Sequence, residues 1–139
     1  MGPAAESAAS ETEKIEAATE TILVVEDEKA VRDLTVKMLQ KLGYKILAAG
    51  SGAEAIEISG AYSGHIALLL TDVVMPNMSG RQLADILSKS RPDMKVLHLS
   101  GYTENTVVHH GVIDSGVEFL PKPFSREVLA KKLREVLGK

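Results

Sequence analysis

Leu68-Leu69-Leu70-Thr71-Asp72-Val73-Val74-Met75-Pro76 is an apolar run that stops at a carboxylate and then at a proline that cannot continue a strand. An apolar run bounded in this way fits a parallel strand covered on both faces, with its carboxyl end opening into the crevice where open α/β sheets place ligands. Asp72 therefore stands at the mouth of that crevice. An unpaired charge there is costly, so Asp72 either caps the following turn or does chemistry.

Outward from this strand, the chain alternates regularly. Ile22-Leu23-Val24-Val25 is a first strand ending in Glu26-Asp27-Glu28. A helix from about Lys29 to Leu42 follows, with Val31, Leu34, Met38, Leu39 and Leu42 at helical spacing and Gly43 as a left-handed stop. Tyr44 to Ala49 reads as a second strand, and Ser51 with Glu54 fits a capping box opening a short helix to about Gly60. Ile66 to Thr71 is the third strand. Ser79 with Gln82 is another capping-box match, opening a third helix whose expected buried stripe is Leu83, Ile86 and Leu87. Lys95 to Leu99 form a fourth strand ending at Ser100-Gly101, and a fourth helix with a weak apolar stripe starts at about Thr103. Val117 to Leu120 are a fifth strand stopped by Pro121-Lys122-Pro123. A fifth helix from Ser125 is expected to bury Val128, Leu129, Leu133, Val136 and Leu137.

Five strand-then-helix units predict an α/β fold of the flavodoxin-like (βα)5 type, a doubly wound parallel sheet with strand order 2-1-3-4-5. In that order the first and third strands are neighbours, so Glu26, Asp27 and Asp72 converge. Ser100 and Lys122 flank the same opening.

The composition bounds the rest. With 139 residues, 45% of them hydrophobic, the chain suits one domain with a real core. Residues 1–20 hold five Glu and one Lys with a single large aliphatic, Ile15, and read as a mobile tail or linker ahead of a domain over residues 21–139. Removing their charge of −4 leaves the domain at +1, against a total of −3. That balance lacks the electrostatic footprint of nucleic-acid binding, and no apolar stretch approaches membrane-spanning length. The absence of Cys rules out thiolate metal sites and suits a reducing cytoplasm.

Three neighbouring carboxylates raise one another's pKa unless a cation screens them, and an all-oxygen donor set selects Mg²⁺, with Mn²⁺ as the substitute, over zinc. Asp27 and Asp72 suit direct binding and Glu26 a contact through water. Lys122 and Ser100 offer donors to phosphoryl oxygens, which leaves Asp72 as the nucleophile of an aspartyl phosphate.

Val24-Val25-Glu26-Asp27-Glu28, Leu69 to Pro76, Leu99-Ser100-Gly101-Tyr102-Thr103 and Leu120-Pro121-Lys122-Pro123-Phe124 together resemble the receiver domain of bacterial two-component response regulators. The resemblance covers about residues 21–137. It implies that Asp72 takes phosphate from a phosphohistidine on a histidine kinase or histidine phosphotransfer protein, with Mg²⁺ at a site comprising Glu26, Asp27, Asp72 and Val74. It implies that Ser100 and Phe119 form a switch pair, and that output leaves through the fourth helix, fifth strand and fifth helix. The Ser100-Gly101-Tyr102-Thr103 form looks most like receivers attached to hybrid sensor histidine kinases. The chain is then a signalling domain that promotes its own phosphorylation and dephosphorylation rather than a conventional enzyme, with no direct nucleic-acid or membrane contact. Glu26 stands where Asp is usual, Ser100 where Thr is commoner, and Phe119 lacks a tyrosine hydroxyl.

Val74 and Tyr102 also flank the path of a water attacking the phosphoryl group; the first cannot orient it and the second is large enough to cover its approach.

Other chemistries fit poorly. An aspartate phosphatase needs a second Asp where Val74 stands, a flavin carrier's phosphate would be repelled by Glu26-Asp27-Glu28, and no Gly-Lys-Ser/Thr loop is present. The rival reading is a receiver-shaped docking module that works without phosphate. His98 is isolated in a strand, and His109 and His110 point to different helix faces, so none reads as a metal ligand. Lys131, Lys132 and Arg134 complement the dipole of the last helix.

Overall fold

The computed structural model describes residues 20–100, 118–122 and 124–138. Its sheet has five parallel strands: β1 (Thr21–Val25), β2 (Lys45–Ala49), β3 (Leu68–Asp72), β4 (Lys95–Ser100) and β5 (Glu118–Pro121), in the order β2-β1-β3-β4-β5. The helices are α1 (Lys29–Lys41), α2 (Gly52–Ala61), α3 (Gly80–Ser90) and α4 (Arg126–Leu137), the last being the fifth helix of the sequence reading. Residues 1–19 of the predicted tail over 1–20, the helix from Thr103 with His109 and His110, and Gly101, Tyr102, Val117 and Pro123 lie outside the described residues.

All ten residues of β1 and β3 are buried, because both strands have neighbours on each side and helices on each face. Side-chain alternation then splits the core into two layers. Leu23, Val25 and Leu69 pack with Ala55 of α2 and with Leu83 and Leu87 of α3. Ile22, Val24, Leu68 and Leu70 pack with Leu39 of α1 and with Leu129 and Leu133 of α4. Truncating any one of these fully buried leucines to Ala costs about 2 to 5 kcal/mol.

The helix faces differ from the expected stripes. On α1, Leu34 is 56% exposed and Thr35 takes the inward position, its hydroxyl donating to the Val31 carbonyl at 2.9 Å, which satisfies the polar atom. On α3, Ile86 is exposed while Leu83, Ala84 and Leu87 are buried; the small Ala84 lets the helix lie close. On α4, Val128 is exposed, Leu129 and Leu133 are buried, and Val136 and Leu137 are half-buried. On α1 and α3 the buried face is turned by about one residue from the one apolar spacing alone selects, because the packing partner sets the orientation, whereas α4 keeps all of its expected stripe but Val128 inward.

Local boundary signals hold more closely. Ser79 and Gln82 form a reciprocal capping box, and Ser125 Oγ accepts from the Val128 N–H at 3.1 Å. Gly43 has φ 98°, the left-handed stop expected after α1. At α2, Ser51 Oγ accepts from the Glu54 N–H, but the Glu54 carboxylate reaches past the cap to the Gly50 N–H at 2.6 Å, so only half of that capping box forms. The third strand starts at Leu68 rather than Ile66 and includes Asp72; β4 likewise extends to Ser100.

Candidate functional site

The carboxyl ends of β1, β3, β4 and β5 assemble one polar cluster. Parallel pairing of β1 with β3 sets Val25 beside Thr71, so the next residues, Glu26 and Asp72, emerge together. Carboxylate oxygens of Glu26, Asp27 and Asp72 all lie within 4.8 Å of one another; Glu26 and Asp72 are buried and Asp27 is exposed. Ser100, also buried, ends β4, and its carbonyl accepts the Lys122 N–H at 2.7 Å, which ties the end of β5 to the cluster.

Lys122 Nζ reaches inward to Asp72 Oδ1 at 2.8 Å and Glu26 Oε1 at 3.2 Å. Glu26 Oε2 accepts from the Glu28 N–H at 3.1 Å. Burial raises the Glu26 pKa, but Asp72, the Glu28 N–H and Lys122 outweigh it, and the net direction is downward. Asp72 shifts the other way, to about 8: burial and the adjoining Glu26 carboxylate outweigh Lys122. Their shared environment thus favours the ionised form of Glu26 and the protonated form of Asp72. Burial alone would lower the Lys122 pKa, yet the two carboxylates hold it above its ordinary value, so Lys122 remains a cation.

The donor set fits a hard divalent cation. It is all oxygen and tightly convergent, and Asp72 Oδ1 is buried, with an ion pair to Lys122 but no aligned hydrogen bond. One lysine does not balance three carboxylates, and the raised Asp72 pKa is the chemical sign of the deficit.

The loop after β3 is shaped to keep Asp72 in place. Asn77 adopts φ 71°, a left-handed conformation that Asn tolerates, and the chain returns so that the Gly80 N–H donates to the Val73 carbonyl at 2.9 Å. A Cβ on Gly80 would collide with the Asp72 carbonyl. The first residue of α3 thus lies directly against the backbone of the candidate nucleophile. Val74, on the same loop two residues past Asp72, is 53% exposed.

Phe119 is half-buried and does not join the carboxylates; its ring lies over His98. His98 is buried and paired with Phe119 across β4 and β5, a position that an isolated strand histidine does not announce in sequence. Arg32 is the other residue that sequence reasoning missed: from α1 it donates to the Glu26 carbonyl at 2.8 Å. Its spacing from Glu26 carries no motif, and only the path of the turn brings the two together. Tyr102 lies outside the described residues.

Residues 22–134 match the response regulator receiver domain family. The chain is 42% identical over 136 residues to the sensor kinase CckA of Brucella abortus, covering 94% of this chain and 14% of that protein. It is 32% identical over 116 residues to the response regulator receiver protein CpdR of the same organism, covering 84% of this chain and 95% of that one. A solved receiver domain of the hybrid histidine kinase CckA superposes with a TM-score of 0.69 at 33% identity, covering 84% of this chain and 98% of the other.

Proposed function

The chain belongs to the response regulator receiver domain family, a signalling domain of two-component systems, and from this we propose that Asp72 is its phosphoacceptor. The observation that carries the assignment is the Lys122 ammonium 2.8 Å from a buried Asp72 oxygen inside a cluster of three carboxylates. We assign the receiver unit to residues 21–139 and treat residues 1–20 as a tail or linker.

The donor is a phosphohistidine on a histidine kinase or histidine phosphotransfer protein. An Asp72 carboxylate oxygen attacks phosphorus, the O–P bond forms as the P–N bond breaks, and the departing imidazole nitrogen keeps the electron pair and takes up a proton. Dephosphorylation is attack by water on the same phosphorus, returning the Asp72 carboxylate and releasing inorganic phosphate. Mg²⁺, or Mn²⁺ in its place, held by Glu26, Asp27, Asp72 and Val74, supplies charge neutralisation for the carboxylates and phosphoryl oxygens. Asp72 attacks only as the carboxylate, the form that its raised pKa opposes and that a bound cation would favour. Lys122 follows the charge from the carboxylate to the phosphoryl group, and Ser100 supplies a hydroxyl donor from the neighbouring strand end.

The switch runs from Ser100 to Phe119. Movement of Ser100 toward the phosphoryl group lets Phe119 turn inward, biasing a two-state equilibrium that is read on the face made by the fourth helix, fifth strand and fifth helix of the sequence reading. The likeness to CckA supports a receiver of the hybrid-kinase type. Among the described residues no helix is long and apolar enough to cross a membrane, and we place the phosphotransfer in the cytoplasm.

Incubation with acetyl phosphate and Mg²⁺, followed by intact mass, tests the acceptor. The expected result is one added phosphoryl mass on the wild type and none on Asp72→Asn. An undiminished adduct on the variant defeats the assignment. A wild type that takes neither phosphate nor beryllium fluoride is instead a docking module that works without phosphate.

A further inference from the structure

The Glu26–Asp27 peptide is held in place by a side chain outside the carboxylate cluster. The Glu26 N–H donates to the Ala49 carbonyl at the end of β2, at 3.1 Å, and its carbonyl accepts from Arg32 Nη1 at 2.8 Å. Within the turn itself, the Glu28 N–H donates to Glu26 Oε2 at 3.1 Å. The N-cap of α1, Glu28, makes no side-chain capping bond, and the three carboxylates the turn helps assemble repel one another when ionised.

Gly50 gives Arg32 the room to reach that carbonyl. A Cβ at Gly50 would lie 2.9 Å from Arg32 Nη1 and 3.6 Å from its Cζ. Among the described residues the glycines at positive φ are Gly43 and Gly138, so backbone conformation does not demand glycine at position 50. A side chain there would instead press the guanidinium, the far end of a flexible side chain, away from the Glu26 carbonyl. The Gly50 N–H in turn donates to Glu54 Oε1 at 2.6 Å, which fixes the loop beneath Arg32.

We propose that Arg32 is a positioning residue for the Mg²⁺ site, with Gly50 as its clearance; this rests on reading the acidic cluster as that site. Arg32 touches none of the candidate ligand oxygens. It bonds the backbone between two of the ligand residues, so that Asp27 already faces Glu26 and Asp72 before the cation arrives. A charged donor on a carbonyl is stronger than a neutral one, and a turn held in its binding shape has less order to gain on binding.

Calorimetric Mg²⁺ titration of the wild type, Arg32→Ala, Arg32→Lys, Gly50→Ala and the Arg32→Ala/Gly50→Ala double variant tests this, with Asp27→Ala as the ligand control. Arg32→Ala is expected to weaken Mg²⁺ binding by about tenfold, in the range found for residues that orient metal ligands. Arg32→Lys, which keeps a charged donor, should recover part of the loss. Gly50→Ala should weaken binding in the wild-type background and add nothing in the Arg32→Ala background. That comparison holds even where Arg32→Ala also lowers Tm, because both arms are measured on folded protein. Amide exchange at Glu28, whose N–H bonds Glu26 Oε2, should quicken in Arg32→Ala while β1 and β3 stay protected. Equal Mg²⁺ affinity in the wild type and Arg32→Ala, or a Gly50→Ala loss of the same size in both backgrounds, would overturn the assignment of Arg32 alone. A wild type that binds no Mg²⁺, or an Asp27→Ala variant that binds it as well as the wild type, would overturn the metal-site reading instead.

Discussion

Phe119 lies over the His98 ring, with centroids 5.5 Å apart and planes inclined by 34°, and the two residues are direct partners across β4 and β5. The imidazole beneath is buried. Burial, followed by the positive charge of Arg81 on α3, pushes its pKa down from 6.5 to about 4 against the opposing pull of the Gly80 and Glu118 backbone. The folded protein thus keeps His98 neutral where the unfolded chain protonates it, so stability is complete above the unfolded pKa and falls as pH drops from about 6.5 toward 4.

Between pH 7.5 and 5 this one group should cost about 2 kcal/mol of unfolding free energy. Urea unfolding of the wild type and His98→Leu at the two pH values isolates the effect from the carboxylates, which both proteins share. A wild type whose pH dependence matches that of His98→Leu would show that the histidine does not carry it.

Asp72 makes the opposite kind of pH dependence at the metal site. Its proton, held to about pH 8, competes with the cation. Mg²⁺ affinity should therefore rise with pH, by up to about tenfold per unit below 8, and level off above it. Titrations at pH 6.5, 7.5 and 8.5, with proton release measured in buffers of different ionisation enthalpy, read this directly. Affinity that stays flat across the series would mean that Asp72 is already ionised in the metal-free protein.

Gly80 should tolerate no side chain. A methyl there meets the Asp72 carbonyl, which is rigid backbone at the end of a buried strand. Gly80→Ala is expected to lose about 1 to 3 kcal/mol of stability and to slow phosphorylation by acetyl phosphate more than it lowers Tm would suggest. Chemical denaturation and phosphorylation rates measured on the folded fraction check both parts. A variant as stable and as readily phosphorylated as the wild type would show that the loop can shift without moving Asp72.

Val74, two residues past Asp72, is exposed and its side chain has no group with which to hold a water in line behind phosphorus. Val74→Asn supplies one and should shorten the lifetime of the phosphorylated protein severalfold. Tyr102→Ala should do the same by uncovering the approach. Decay of the phosphoryl mass in Mg²⁺ is the assay, and unchanged lifetimes in both variants would end the gating idea.

The chain by itself determines the strand order and the identity of the strand-end residues, because the signals are local. Continuous apolar runs such as Ile22 to Val25 and Leu68 to Leu70 mark strands covered on both faces, and Ser79, Ser125 and Gly43 mark helix ends by hydrogen bonds and φ values that involve only near neighbours. Those signals bring Glu26, Asp27, Asp72, Ser100 and Lys122 to one edge of the sheet. Tertiary structure alone decided how each helix turned, burying Thr35 in preference to Leu34 and Ala84 in preference to Ile86, since rotation about a helix axis depends on the surface it meets. It also decided the proton on Asp72, the neutrality of His98 and the reach of Arg32 to the Glu26 carbonyl. Each of these depends on burial and on distances of a few ångströms between side chains and backbone that no local spacing encodes.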